Sequence, residues 1–162
     1  MHRLLLVILF SSTLACVSTT RFSSSSQSTL ATKSKSDRMN HNVLEQVARR
    51  WLNTPYRYGG QSRQGIDCSG LTCAIYREVY EVELPRTVEQ QLKTGRYVQK
   101  SRLMPGDLVF FRNGGSGVID HVGIYLGQDK FVHASVQLGV VISTLSAAHN
   151  RRHYVTARRI LP

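Results

Sequence analysis

The sequence predicts an α+β fold in which N-terminal helices pack on a small antiparallel β-sheet. In the first half, apolar residues recur at helical spacing, as Leu71, Ile75 and Val79 do at positions i, i+4 and i+8. In the second half, short apolar runs are bounded by glycine and other turn residues, which is typical of strands. Helices followed by strands favour layers in which the two kinds of element are segregated.

The N-terminus has the layout of an export signal. A basic start, Met1-His2-Arg3, is followed by the apolar run Leu4 to Phe10 and then by small residues up to Cys16. This apolar run is too short to span a bilayer. We expect residues 1–15 to be a signal peptide and Cys16 to carry lipid after cleavage, as in bacterial lipoproteins. Ordinary secretory cleavage after Thr13-Leu14-Ala15 is the alternative.

Residues 16–41 are predicted to form a flexible tether. The segment is rich in Ser and Thr, with Ser23 to Ser26 in a row, and it contains few large apolar residues. Such a segment cannot bury enough surface to fold. The chain has 162 residues, a length that suits one domain and a leader. We therefore expect a single folded domain over residues 42–162.

The chain is strongly basic, with 21 Lys and Arg residues, 10 Asp and Glu residues and a formal net charge of +11. Such a balance suggests an anionic partner. No block of consecutive basic residues and no nucleic-acid-binding motif accompanies the charge, so we expect no nucleic-acid partner. Anionic phospholipid, lipopolysaccharide or an acidic wall polymer explains the charge equally well.

Three helices are predicted in the first half of the domain. An amphipathic helix over residues 42–52 comes first, and a turn-rich loop over residues 53–67 follows it. The second helix begins at Cys68 and ends near Tyr80. A capping box formed by residues 87–90 begins a short third helix that ends near residue 93.

The second half is predicted to form the strands of the sheet, with one helical turn over residues 146–151. Residues 127–129 are expected to be a three-residue hairpin loop that pairs Leu126 with Lys130. The predicted strands cover residues 108–111, 121–126, 130–134, 140–143 and 154–160.

Cys68 is a candidate nucleophile. Asp67 is predicted to cap the second helix, which places Cys68 at the first helical position. There, free N–H groups and the positive end of the helix dipole favour a thiolate and can stabilise an oxyanion. For Cys68 taken alone, a buried structural cysteine is the alternative. Cys73 is expected to be buried, and it lies too far along the same helix to form a disulfide with Cys68.

A cysteine nucleophile needs a base, and the base needs an orienting group. Of the six histidines, His121 and His133 differ from the others, such as His149 in a solvated polar segment, because they lie in apolar predicted strands. In the predicted hairpin, His133 lies opposite Gly123 and diagonal to His121 on the same face, at about 7 Å. His133 can then hold one nitrogen of His121 while the other faces the Cys68 helix. Two unrelated strand histidines are the alternative.

Six short motifs occur in an order that resembles a known family. Together they are similar to the successive motifs of the NlpC-type cell-wall peptidases, and the resemblance covers roughly Trp51 to Ile160. Among these peptidases, the chain looks most like the small lipoproteins of Gram-negative envelopes. The motifs are Thr54-Pro55-Tyr56-Arg57-Tyr58-Gly59-Gly60, Asp67-Cys68-Ser69-Gly70, Leu84-Pro85-Arg86-Thr87, Pro105-Gly106-Asp107-Leu108-Val109-Phe110-Phe111, His121-Val122-Gly123-Ile124-Tyr125 and Phe131-Val132-His133-Ala134-Ser135.

The resemblance implies a papain-like fold and a cysteine endopeptidase that cleaves amide bonds in peptidoglycan stem peptides or their crosslinks. On this interpretation Cys68 is the nucleophile, His121 the base and His133 the orienting residue. Tyr56 matches a tyrosine whose hydroxyl helps to stabilise the oxyanion.

The resemblance also places Asp67, Ser69 and Arg86 near the substrate. We expect no cofactor and no metal, because the zinc-peptidase pattern His-Glu-x-x-His is absent. The expected partners are peptidoglycan stem peptides and, through lipid on Cys16, a membrane. We expect a monomer at the outer membrane, facing the periplasm, with secretion into the periplasm as the alternative.

Three functions stay open at this point. The first is the endopeptidase, the second a thiol amidase or acyltransferase that uses the same triad, and the third an inactive wall-binding lipoprotein. The joint presence of the candidate catalytic residues disfavours the third. The triad sets the chemistry and the groove sets the substrate, so the sequence does not separate the first two. Residues 147–152 are small and basic where the family often has aromatic residues, which we expect to change the groove or its contacts.

Overall fold

The computed structural model describes residues 40–114 and 117–161 of the chain. The predicted signal peptide, Cys16 and nearly all of the predicted tether lie outside these residues. Within the described ranges, no helix has both the length and the apolar character needed to cross a membrane. The helices there are α1 (residues 40–51), α2 (Cys68–Tyr80), α3 (Val88–Leu92) and α4 (Ala148–His153), with a 3₁₀ turn at Lys100–Arg102.

The strands of the described region form two antiparallel sheets. A two-stranded hairpin precedes α2, and a six-stranded sheet has the order β3-β8-β4-β5-β6-β7. Together with the helices, these sheets confirm the predicted α+β class. The strands are β1 (Gln61–Ser62), β2 (Gly65–Ile66), β3 (Arg96–Tyr97), β4 (Leu108–Phe111), β5 (His121–Gly127), β6 (Lys130–Ser135), β7 (Gly139–Thr144) and β8 (Tyr154–Arg159).

Helix α2 forms where local signals predict it. The carboxylate of Asp67 accepts a hydrogen bond from the N–H of Gly70 at 2.7 Å, which caps the first turn. Leu71 and Ile75 are fully buried on the face that packs against the sheet. The helix ends at Glu81, whose left-handed backbone, with φ of 56°, closes the last turn. The first residue of the helix is therefore held by the cap at Asp67 and by the burial of Leu71 in the first turn.

Apolar side chains cover both faces of the large sheet. Phe110 packs in the cluster that contains α1 and α2, whereas its neighbour Phe111 packs with Val98, Phe131 and Leu145 in a second cluster. Neighbouring strand residues point to opposite faces, so the two clusters lie on opposite sides of β4. The central strands β4 and β5 are thus buried, and they provide a rigid base for the residues at their ends.

The hairpin between β5 and β6 differs from the prediction. Gly127, not Leu126, pairs with Lys130, and the loop consists of residues 128–129, both with positive φ. A two-residue loop of this kind matches the twist of the flanking strands. A bulge near the end of β5 absorbs the extra residue, so that the predicted register returns at Tyr125.

Other differences concern short elements. The predicted loop 53–67 contains the β1–β2 hairpin, and β3 and the 3₁₀ turn were not predicted. Helix α4 covers residues 148–153, later than the predicted turn at 146–151. Two-residue strands show no periodicity in the sequence, because they exist only through the neighbour with which they pair. For β3, that neighbour is the distant strand β8.

Candidate active site

Cys68 is the first residue of α2 and is 6% exposed. Burial raises the pKa of the Cys68 thiol to about 11, although hydrogen bonds to the sulfur from the backbone N–H groups of Val122, Ser69 and Cys68 itself act in the opposite direction. The N–H groups at the start of the helix therefore favour the thiolate as expected, but burial outweighs them and Cys68 stays a thiol. The contact with the N–H of Val122 shows that the thiol lies beside the start of β5, because Val122 directly follows His121 in that strand.

His121 and His133 form a hydrogen-bonded pair on neighbouring strands. The Nε2 atom of His121 lies 2.9 Å from Nδ1 of His133. Burial is the main cause that lowers the pKa of His121 to about 4 and that of His133 to about 3. Nearby Asp120 opposes the shift of His121, whereas the neighbouring ring of His121 adds to the shift of His133. The ring of Phe131 stacks on His133 with 4.7 Å between the centroids. At neutral pH both imidazoles are therefore uncharged and fixed in orientation.

The carboxylate of Asp67 is fully engaged within the protein. It accepts hydrogen bonds from the N–H groups of Gly59 and Gly70 at 2.9 and 2.7 Å, and from the hydroxyl of Ser69 at 3.2 Å. Arg86 donates to both of its oxygens, at 2.7 and 3.0 Å. Burial raises the pKa of Asp67, but the bonds from Arg86 and Gly70 outweigh burial and the net shift is downward. Asp67 thus joins the glycine-rich loop to the start of α2.

The three predicted substrate residues lie together. Arg86 donates to the hydroxyl of Ser69 at 2.9 Å as well as to Asp67. The side chain of Arg86 remains 33% exposed, whereas that of Asp67 is 9% exposed. Of the three, Arg86 therefore offers the largest surface to a ligand, and Asp67 holds its guanidinium in place.

These residues line a cleft of about 550 Å³. Tyr56 lies in the same cleft as Cys68, where a β-bridge to Ile66 holds its backbone next to the start of α2. Burial raises the pKa of Tyr56, so its phenol keeps its proton at neutral pH. Asp120 also contributes to the lining. The cleft therefore combines a thiol, a phenolic donor and a guanidinium.

A second cavity, of about 370 Å³, is lined by His121, which directly follows Asp120 in the sequence. His133 lines it as well, together with Asn113 from the β4–β5 connection and His149 and Asn150 from α4. His149 is exposed, as expected from the polar sequence around it, but the prediction did not place it beside the histidine pair. The polar groups that line this cavity are histidine and amide side chains and the hydroxyl of Ser135.

Two contributing residues were missed by the sequence reasoning. Gln91 of α3 is fully buried, and its amide donates to the carbonyls of Pro85 and Ser69 at 2.8 and 3.2 Å. It thereby ties the loop that carries Arg86 to the first turn of α2. Ser143 of β7 lies with its hydroxyl oxygen 2.9 Å from Nε2 of His133. Polar residues of this kind have no motif, because their partners come from other elements.

No metal site is formed by the residues that the structure describes. In that part of the chain, no three His, Cys, Asp or Glu side chains are grouped closely enough to hold an ion. Cys68 and Cys73 are both free and buried.

Comparisons with known proteins agree on one family. The family model described as "NlpC/P60 family" matches residues 53–159. The Escherichia coli K12 protein "Murein DD-endopeptidase MepS/Murein LD-carboxypeptidase" is 44% identical over 119 residues, which cover 74% of this chain and 62% of that protein. "Probable endopeptidase NlpC" of the same strain is 44% identical over 110 residues, covering 68% of this chain and 71% of that protein. The chain thus spans less than two thirds of the length of MepS.

Solved structures show the same similarity. An NlpC/P60 family protein from Bacillus cereus superposes with a TM-score of 0.69 at 34% identity, covering 75% of this chain and 40% of that one. The NlpC/p60 domain of the peptidoglycan hydrolase SagA superposes with a TM-score of 0.63 at 27% identity, covering 74% of this chain and 97% of that domain.

Proposed function

The chain belongs to the NlpC/P60 family, and on that basis we propose that it is a cysteine endopeptidase that hydrolyses amide bonds in peptidoglycan stem peptides or their crosslinks. The observation that carries the proposal is the 2.9 Å contact between the rings of His121 and His133, next to the N–H of Val122 that faces the Cys68 sulfur. Nucleophile, base and orienting group thus come from α2, β5 and β6. Murein peptidases among the relatives support the choice of substrate.

The reaction begins from a neutral pair. Since burial keeps the Cys68 thiol protonated and the His121 ring uncharged, the sulfur becomes a thiolate only as it attacks. In our proposal, Nδ1 of His121 takes the proton from Sγ while Sγ bonds to the carbonyl carbon of the substrate. Nε2 of His121 is occupied by His133, so Nδ1 is the nitrogen left for this step.

Charge on the carbonyl oxygen is stabilised from two sides. The N–H of Cys68 lies at the start of α2, where backbone donors have no partner within the helix. The hydroxyl of Tyr56 supplies the second donor, and burial raises the pKa of this phenol, which keeps its proton available. Both donors are fixed before the substrate arrives, so little reorganisation accompanies the reaction.

The two cavities divide the substrate between them. His121 must return its proton to the leaving amine, so the amine side of the bond lies in the cavity that His121 lines. The acyl side then lies in the cleft with Cys68 and Arg86, where the exposed third of the Arg86 side chain can contact the acyl group while its Nη donors stay bonded to Asp67, Ser69 and Gly60. Water next attacks the thioester, with His121 as base, and releases the acyl group.

Digestion of purified peptidoglycan fragments tests the proposal. We expect paired new amino and carboxyl termini in the stem peptides, identified by mass, and their positions identify the bond that is cut.

We expect the rate to change little from pH 7 to pH 5 and to fall near pH 4, because His121, with its pKa lowered to about 4, must be unprotonated to act as a base. Cleavage between glycan and peptide would indicate an amidase, joined stems an acyltransferase, and unchanged fragments a binding protein.

We also propose that lipid on Cys16 anchors the protein at the outer membrane, with the domain facing the periplasm. The support is the N-terminal sequence, in which a basic start, an apolar run and small residues precede Cys16. Residues 17–39 would then act as a tether that lets the domain reach its substrate. The mass of the mature N-terminal peptide decides between the two expectations: a diacylglycerol-modified Cys16 supports the anchor, and an unmodified one indicates secretion.

A further inference from the structure

We propose that Ser143 is a positioning residue that fixes the tautomer of His133 and, through it, that of His121. The proposal rests on the function proposed above, because it assigns Ser143 a part in preparing the base. The hydroxyl oxygen of Ser143 lies 2.9 Å from Nε2 of His133, and Nδ1 of His133 lies 2.9 Å from Nε2 of His121. A chain of three side chains therefore runs across β5, β6 and β7.

The register of the sheet produces this chain by repeating one relation. Ile124 pairs with Val132, so His121 is diagonal to His133 on the same face of the sheet. Ser143 pairs with Phe131, two residues before His133, so Ser143 is diagonal to His133 on the next strand. Strand residues two apart share a face, which puts all three polar groups on one side of the sheet.

Proton positions along the chain follow from the task of His121. A neutral imidazole carries one N–H. If Nδ1 of His121 is to accept the thiol proton, Nε2 must carry its hydrogen and donate it to Nδ1 of His133. The hydrogen of His133 is then on Nε2 and needs an acceptor, and the hydroxyl oxygen of Ser143 provides it.

Loss of this acceptor reverses the direction of the hydrogen bond between His121 and His133. Without Ser143, the N–H on Nε2 of this half-buried ring loses its hydrogen bond within the protein, so the hydrogen of His133 shifts toward Nδ1. Nδ1–H then points at Nε2 of His121, which must become the acceptor. The hydrogen of His121 moves to Nδ1, the nitrogen that should receive the thiol proton. The stacked ring of Phe131 restricts rotation of His133, which limits escape from this arrangement by turning the ring.

Nitrogen-15 NMR of histidine-labelled protein measures the tautomers directly and needs no activity. We expect hydrogen on Nε2 of both rings in the wild type, a shift toward Nδ1 in Ser143→Ala, and the wild-type pattern in Ser143→Thr, which keeps the hydroxyl. Because β7 is the edge strand and threonine favours strands, we expect the added methyl group to fit. Thr144→Ala is the matched control, since Thr144 is the exposed neighbour on the same strand, and it should leave both rings unchanged.

Kinetics provide the second measurement. We expect Ser143→Ala to lower kcat about 10-fold with little change in KM, an effect of the size seen when a metal-ligating imidazole loses the partner of its other nitrogen. Ser143→Thr should restore the rate. Wild-type tautomers or a wild-type kcat in a folded Ser143→Ala would overturn the proposal. If the wild type does not cleave peptidoglycan, the function fails, but the NMR comparison still decides the role of Ser143.

Discussion

Cys68→Ala is expected to abolish hydrolysis of peptidoglycan fragments, with a loss of about 10⁴-fold or more. The sulfur is the group that forms the acyl intermediate in our proposal, and neither the N–H groups of α2 nor the phenol of Tyr56 can replace it. These groups would still bind and polarise a carbonyl, so a small residual rate above that of water is compatible with the mechanism. The measurement is product formation by mass, with equal amounts of folded wild type and variant.

Cys73→Ala is the matched control for this experiment. Cys73 is on the same helix, is also free and is also 6% exposed, but it faces the carbonyls of Leu84 and Pro85. We expect it to keep its activity and to lose about 1 kcal/mol of stability, as a small core truncation does. Cys68→Ala should unfold at a denaturant concentration similar to that at which Cys73→Ala unfolds. Wild-type rates in Cys68→Ala, or a loss confined to Cys73→Ala, would remove Cys68 as the nucleophile.

Helix α2 could be predicted because its signals are local. The apolar stripe, the cap at Asp67 and the position of Cys68 all lie within one short stretch, and the structure reproduces each of them. The ionisation of the thiol could not be predicted in this way. The helix dipole is a local property, but burial beneath β5 and the surrounding loops is a tertiary property, and here burial dominates the pKa of Cys68.

The histidine pair was predictable because a strand alternates its side chains. The predicted loop was one residue too long, an error that would normally turn every side chain of β6 to the other face. The bulge in β5 compensates, so the diagonal relation of His121 and His133 survives. The same diagonal relation between β6 and β7 brings Ser143 to His133. The sequence alone does not predict it, because residues 136–138 match no single turn type and the register of β7 stays open.

Contacts between distant segments were beyond the reach of the sequence reasoning. Arg86 was expected to meet substrate, yet most of its donors bond to Asp67, Ser69 and the carbonyl of Gly60. Gln91 fills a polar gap between α3 and α2 that exists only after the chain has folded. In both cases the residue type suits many roles, and only its neighbours select one of them.

Arg159→Leu is expected to destabilise the domain strongly, although Arg159 lies outside the site. Arg159 donates from Nε and Nη2 to the carboxylate of Asp107, with both distances 2.7 Å, and to the carbonyl of Arg102 at 2.9 Å. Asp107 is 2% exposed and also accepts from the N–H of Met104. Removing the cation leaves a buried carboxylate without its partner, which costs about 3–5 kcal/mol. For a domain of this size we expect the Tm to fall by about 10–20 °C.

Arg96→Leu is the control that distinguishes the effect of losing this ion pair from the effect of losing one positive charge. Arg96 pairs with Arg159 across β3 and β8 but is exposed, so the same substitution there should change the free energy of unfolding by about 0.5 kcal/mol or less. The double variant Asp107→Leu with Arg159→Leu removes both charges and should recover part of the loss, because no buried charge then remains without a partner. Equal urea midpoints for Arg159→Leu and Arg96→Leu would show that the bidentate pair contributes nothing to stability. Apolar contacts such as those of Ala157 and Val109 would then be what holds β8 against the β4 region.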